Sequence, residues 1–240
     1  MKRKVWGRIA LLLVLAVLLG GVFLLLQQAK TRGGEPERDE TAHVTATPTP
    51  TPEPTPTPEP TPEPEDGDLV VVQDYIPTLF VELRYATPNN FTGQVIYDFT
   101  QARLRYCTVK KLARVQDALL QDGYSLKIWD AFRPVSAQFR LWEVCPNSAY
   151  VANPNSGYSS HSRGNTIDLT LVKSDGTEIP MPSDFDTFSA LADRDYSDVS
   201  QTAREHVMRL ESAMQAEGFV GYSAEWWHYS DGTVYDVVTD

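Results

Sequence analysis

The segment SSHSRGNTIDLTL, residues 159–171, sets His161 seven residues before Asp168, with small and polar residues between them and an alternating apolar run after. The chain holds four histidines. His43 lies in a proline-rich stretch, and His206 falls mid-helix near Glu205 and Arg209, where it reads as a solvated helix residue. The fourth, His228, stands in EWWHYS, three residues after Glu225. Two imidazoles and one carboxylate form a donor set that zinc takes in catalytic sites, with the fourth position kept for water. The metal polarises a carbonyl and lowers the pKa of its water to about 7. A carboxylate beside that water, not itself a ligand, is the natural general base, and Glu225 fits that role. A straight strand sends residues three apart to opposite faces. A shared site for Glu225 and His228 therefore demands a bulge, a strand end or a turn. The competing reading makes His161 a loop hydrogen-bonder, Asp168 a turn former and Trp226 and Trp227 core. Spacing alone leaves both open.

Other polar residues sit in apolar surroundings. Asp130 and Arg133 lie in IWDAFRP, straight after an apolar run. They read either as an ordinary ion pair or as an arginine placed where a tetrahedral oxyanion forms, with Asp130 orienting it. An always-charged planar fork suits that task. Tyr85, in LRYATPNNFTG, is either core or within reach of a substrate.

The elements that must hold these groups occupy only part of the 240 residues. Residues 1–8 are basic, and residues 9–26 form an unbroken apolar run. At about 1.5 Å per residue that run covers roughly 27 Å, enough to cross a bilayer core of about 30 Å. The positive flank places the N-terminus inside and the remainder outside. A single-pass signal anchor is expected, with the domain extracytoplasmic. A cleaved signal peptide, which would leave the domain secreted, is the alternative; the following QQAKTRGG offers no A-x-A-like cleavage site. Residues 27–66 are dominated by Thr-Pro and Glu-Pro repeats too poor in apolar residues to fold. Stiff proline-rich chain rises about 3.1 Å per residue, so the repeats could hold a domain roughly 50 Å off a membrane.

Residues 67–240 remain as one domain. The net charge of −11 argues against nucleic acid as a partner. Cys107 and Cys145 are the only cysteines; outside the membrane a disulfide is plausible, and two buried thiols are as ordinary. Alternation predicts strands at 80–87 and 166–172, and residues 125–132 read as a buried strand. Helical spacing appears at Val109, Leu112, Val115 and Leu119, with Gly123 as a stop. Pro134 suits the first turn of a helix over VSAQFRLWEV, and residues 145–165 read as loop. Thr202 and Glu205 suggest a capping box for a helix over 202–217. Asp231-Gly232 suggests a hairpin between strands at 224–230 and 233–238. This order favours an α+β fold with a mainly antiparallel central sheet flanked by helices.

Taken in order, LRYATPNNFTG, IWDAFRP, SSHSRGNTIDLTL and EWWHY resemble the VanX-type D-alanyl-D-alanine dipeptidases. These are zinc peptidases related to the VanY-type D,D-carboxypeptidases and the hedgehog signalling domain. The resemblance spans about residues 70–238. It implies a hedgehog/D,D-peptidase-like fold and one Zn2+ per chain on His161, Asp168 and His228. It implies Glu225 as general base, with Arg133 stabilising the tetrahedral intermediate. It also implies Tyr85, Ser159 and Asp186 as pocket residues that fix the substrate's charged ends, with Asp184 as the close competitor of Asp186. Such dipeptidases act on a cytoplasmic precursor, whereas this chain is expected to face outward. The substrate expected is the free D,D-dipeptide, or else the D-Ala-D-Ala end of a peptidoglycan stem peptide trimmed by a D,D-carboxypeptidase. A third reading is a non-catalytic zinc-bearing surface module, against which both Glu225 and Arg133 argue.

Overall fold

The computed structural model describes residues 62–239. The expected membrane anchor and nearly all of the expected linker fall on residues 1–61, outside the described residues. Among the described residues no helix is long and apolar enough to cross a membrane. The docked chain begins before Gly67: Glu63 accepts a hydrogen bond from the Tyr106 hydroxyl at 2.6 Å, and Asp66 pairs with Lys110 at 2.5 Å.

A short strand β1 (Leu69–Val71) leads into a one-turn helix α1 (Val72–Tyr75) and the two-residue strand β2 (Phe80–Val81). Then come β3 (Arg103–Arg105), α2 (Tyr106–Gln121), β4 (Tyr124–Asp130), α3 (Val135–Val144) and β5 (Thr166–Lys173). The chain ends with α4 (Gln201–Ala216), β6 (Phe219–Tyr222) and β7 (Glu225–Asp231). β1 and β3 form a separate antiparallel pair. The main sheet has five strands in the order β2-β4-β5-β7-β6. It is mixed: β2 runs parallel to β4, and the other three pairings are antiparallel.

The helices form where their apolar spacing is regular. Val109, Leu112, Val115 and Leu119 make the buried stripe of α2, and Val207, Leu210 and Met214 that of α4. The two helices pack on each other and on the sheet. Each such buried aliphatic side chain contributes about 1.5–3 kcal/mol relative to exposure. Gly123, with φ 81°, turns the chain out of α2 in a conformation that glycine adopts without steric cost.

Several expectations need correction. The predicted strand 80–87 ends at Val81, and Arg84–Ala86 instead form a 3-10 turn that buries both Arg84 and Tyr85. Helix α4 is capped by Ser200, whose Oγ accepts from the Ala203 amide at 3.2 Å, so Thr202 and Glu205 form no capping box. Pro134 is the N-cap of α3, one residue before its first turn. The Asp231-Gly232 hairpin does not form. Asp231 is fully buried, accepting from Thr108 Oγ1 at 2.5 Å and the Thr233 amide at 2.7 Å, and β7 pairs with β6 before it. Cys107 and Cys145 are free thiols, not a disulfide. β5 alternates as expected, but seven of its eight residues are buried, because it lies between β4 and β7 with both faces covered.

Candidate metal centre and active-site cavity

The site is assembled by the two central strands and one turn. Asp168 in β5 stands opposite His228 in β7 and opposite Asp130 in β4. His161 comes from a 3-10 turn, Ser160–Arg163, closed by Gly164 at φ 78°. A side chain at Gly164 would place its Cβ 2.6 Å from Leu69, so the turn requires glycine in both conformation and space.

His161 Nε2 lies 3.3 Å from Asp168 Oδ2, and His228 Nδ1 lies 3.0 Å from Asp168 Oδ1. One ligand atom from each of these residues lies within 4.8 Å of the others. Donors at about 2 Å from a tetrahedral zinc stand roughly 3.3 Å apart, so the set fits such an ion. Two further features agree. Asp168 Oδ1 is buried without a hydrogen bond, although His228 Nδ1 is close; the contact lacks hydrogen-bond alignment. His161 Nδ1 is 2.8 Å from the Ala131 carbonyl. Donating there fixes the tautomer and leaves Nε2 with the lone pair a metal needs. Burial works to raise the Asp168 carboxyl, but the facing His161 and His228 rings outweigh it and hold it far below the usual range.

Glu225 is the first residue of β7, and its Oε2 is 3.5 Å from His228 Nδ1. The irregularity that its placement requires is present. Tyr222 pairs with Glu225, while the preceding Gly221 pairs with Tyr229. Trp226, Trp227 and His228 therefore bulge from the β6 ladder, and Glu225 and His228 line one cavity. Burial, then the nearby Asp168, raises the Glu225 carboxyl above its ordinary value.

That cavity holds about 470 Å3. Arg133, Tyr85, Ser159 and Asp186 also line it. Arg133 is 8 % exposed. Its Nη2 donates to Asp130 Oδ2 at 2.5 Å, Nη1 to Gln138 at 2.8 Å, and Nε is shared between Tyr97 and Asp130. Three of its five N–H groups are thus spent on holding the fork, and among the described residues the other two have no partner, at the wall of the cavity. Asp130 does not reach the cavity. Its other oxygen accepts from the Tyr97 hydroxyl and the Ala131 amide. Ser159 caps the turn that carries His161, its Oγ accepting from the His161 amide at 3.3 Å, which leaves its own hydroxyl proton to donate.

Asp186 rather than Asp184 faces the cavity. Its carboxylate accepts from the Tyr85 hydroxyl at 2.6 Å, and its backbone is left-handed, with φ 50°. Burial pushes its carboxyl up to about 8 even against the Tyr85 hydrogen bond. Asp184 is exposed and pairs with Arg84 at 3.3 Å. Sequence reasoning missed Tyr97 and Gln138, both of which hold Arg133. Nothing local in VIYDFT singles out Tyr97, whereas Gln138 stands near the start of the helix that follows Arg133.

Two imidazoles and a carboxylate converging beside a second, non-ligating carboxylate place the chain among candidate metallohydrolases. The comparison with known families agrees. The peptidase M15 family described as D-ala-D-ala dipeptidase matches residues 65–237, and the chain belongs to this family of metallopeptidases. A D-alanyl-D-alanine dipeptidase of Escherichia coli K12 is 37 % identical over 162 residues, covering 68 % of this chain and 82 % of the relative. One from Enterococcus faecium is 34 % identical over 168 residues, covering 62 % and 83 %. Among solved structures, the vancomycin-resistance D,D-pentapeptidase VanY in complex with Zn(II) aligns with TM-score 0.37 at 16 % identity, over 57 % of this chain and 76 % of that one.

Proposed function

We propose that the chain hydrolyses D-Ala-D-Ala to D-alanine, with zinc held by His161 Nε2, Asp168 and His228 Nδ1. The observation that supports this best is the bulge that turns Glu225 into the cavity beside His228 without making it one of the three converging ligands. When bound, zinc supplies Lewis-acid polarisation of the scissile carbonyl and lowers the pKa of a water. Glu225 takes the proton from the attacking water and passes it to the leaving amine; its raised carboxyl pKa suits both transfers. The two uncommitted N–H groups of Arg133 face developing negative charge on the tetrahedral carbon's oxygen, preorganised by Asp130, Tyr97 and Gln138. Asp186 and Tyr85 take the substrate ammonium, whose positive charge keeps the Asp186 carboxyl ionised. The Ser159 hydroxyl donates to the substrate carboxylate.

A second reading has its own support. Tyr150, Tyr158 and Tyr222 line the same cavity and are each about half exposed, at 48 %, 56 % and 52 %. Exposed aromatic rings at the mouth would suit a longer stem peptide and D,D-carboxypeptidase action. The N-terminal apolar run supports membrane anchoring and an outward-facing domain, where such ends are found. The test is D-alanine release by the full-length, zinc-loaded chain from free D-Ala-D-Ala and from an N-blocked stem peptide ending in D-Ala-D-Ala. Cleavage of the free dipeptide alone is expected. Cleavage of the blocked peptide would turn the assignment to the carboxypeptidase, and cleavage of neither would refute both.

A further inference from the structure

Arg194 lies in the irregular segment before α4, in ADRDYS, where nothing in the sequence marks it. In the fold it fills the space beneath the β7 bulge. Nε donates to the Tyr222 carbonyl at 2.8 Å. Nη2 donates to the carbonyls of Trp226 and His228, each at 3.0 Å. Nη1 donates to the Tyr229 hydroxyl at 3.2 Å and pairs with Glu211, from α4, at 3.3 Å. Four of the five N–H groups of the guanidinium thus donate hydrogen bonds, with Glu211 as an ion-pair partner, and the cation also lies 4.4 Å from the centre of the Tyr229 ring.

These partners follow from the bulge. Displacing Trp226, Trp227 and His228 from the β6 ladder takes their carbonyls away from strand partners on that side. A buried carbonyl left unpaired costs about 1–3 kcal/mol. Arg194 supplies the missing donors, two of them to the segment Trp226–His228 itself. Gly221 completes the fit: a Cβ there would stand 2.3 Å from Arg194 Cζ, so the guanidinium occupies the space a side chain would take.

We propose that Arg194 is a positioning residue for the reaction, holding the bulged backbone that aims Glu225 and His228 into the cavity. It touches neither substrate nor metal. The proposal rests on the reading of Glu225 as base and His228 as zinc ligand. Partners that orient ligands from outside the coordination shell typically affect metal affinity or activity by about 10–100-fold.

The test compares the full-length wild type with R194K and G221A. Lysine keeps the charge but offers three donors on a single centre. G221A leaves Arg194 in place chemically and displaces its guanidinium sterically. Three readouts are taken: zinc affinity by competition with a chromogenic chelator, kcat and KM for D-Ala-D-Ala, and the melting temperature of the zinc-free protein. Both variants are expected to bind zinc about 10-fold or more weakly and, once saturated with zinc, to lose about 10–100-fold in kcat with KM within about threefold. Wild-type zinc affinity and kcat in folded R194K would overturn the proposal, even with a lowered melting temperature, since a merely structural role moves melting alone. Should the wild type release no D-alanine, the parent reading fails, and the chelator competition still decides whether Arg194 governs the metal site.

Discussion

Replacing Glu225 by glutamine preserves the shape of the side chain and removes its capacity to accept a proton. Glu225 Oε2 is 3.5 Å from His228 Nδ1, near the metal position but outside the three-residue ligand set. The variant should therefore keep one zinc per chain and bind substrate with KM within about threefold of wild type. A positioned general base is worth about 10²–10⁴-fold in rate, or about 3–5 kcal/mol of barrier at 1.36 kcal/mol per decade. The assay is D-alanine release by the zinc-loaded chain, with metal content measured on the same sample. A second readout is independent of turnover. In the zinc-free protein, burial and Asp168 raise the Glu225 carboxyl, so the folded state holds its proton to higher pH than the unfolded chain does. Stability then falls as pH rises from the unfolded carboxylate pKa, about 4.3, through the raised folded value. Zinc-free E225Q lacks that loss and should melt above wild type at pH 8, the difference vanishing below about pH 4. A kcat within about threefold of wild type, with zinc bound, would refute the assignment of Glu225 as the base.

Asp130→Asn removes the charge opposite buried Arg133 and faces its Nη2 and Nε with an amide donor. Breaking a buried pair costs about 3–5 kcal/mol, which at about 2–4 °C per kcal/mol lowers the melting temperature by roughly 6–20 °C, with kcat falling as the fork loses its orientation; an unchanged melting temperature would show that the pair is not holding the fork. Asp186→Asn should raise KM for the free dipeptide by about 10–100-fold, the worth of a charge-assisted hydrogen bond of about 1.5–3 kcal/mol, with a smaller change in kcat. Because the Asp186 carboxyl is pushed up to about 8, wild-type stability declines as pH rises from about 4 through 8, so zinc-free D186N should gain on wild type across that window in parallel melts. Chelation of zinc should abolish D-alanine release, and restoring zinc should recover it, with the H161A chain failing to recover.

The chemistry-bearing residues are legible in the sequence because their types are rare in context. With four histidines in the chain, His161 and His228 stand out, and the three-residue spacing of Glu225 and His228 by itself demands a backbone irregularity if the two share a site. The regular helices are legible from apolar spacing. What escapes are features set by distant partners. The strand expected over 80–87 fails after Val81 because its next residues serve another purpose: Arg84 and Tyr85, adjacent in a 3-10 turn, bond Asp184 and Asp186 respectively, a hundred residues away. The Asp-Gly hairpin signal misleads because the carboxylate of Asp231 is committed to Thr108 and Thr233. The true hairpin turns at Ser223-Ala224, where only the serine favours a turn, and more weakly than Asp-Gly does.

The bulge in β7 shows why EWWHY alone does not specify a working site. Five residues dictate which side chains are available; they do not dictate that the strand leaves register. A regular strand over the same residues would place Glu225 opposite in sense to His228 and keep the ladder's hydrogen bonds. The observed geometry gives those bonds up across Trp226–His228. Compensation comes from 32 to 34 residues upstream through Arg194, and through Gly221, whose missing side chain leaves room for it. The local irregularity and its distant donor therefore stand or fall together. A chain with the motif but without a donor set beneath the bulge should relax toward a regular strand, turning its base away from its metal ligand. Reading function from the motif thus requires identifying the group that satisfies the displaced carbonyls, which here is a single arginine.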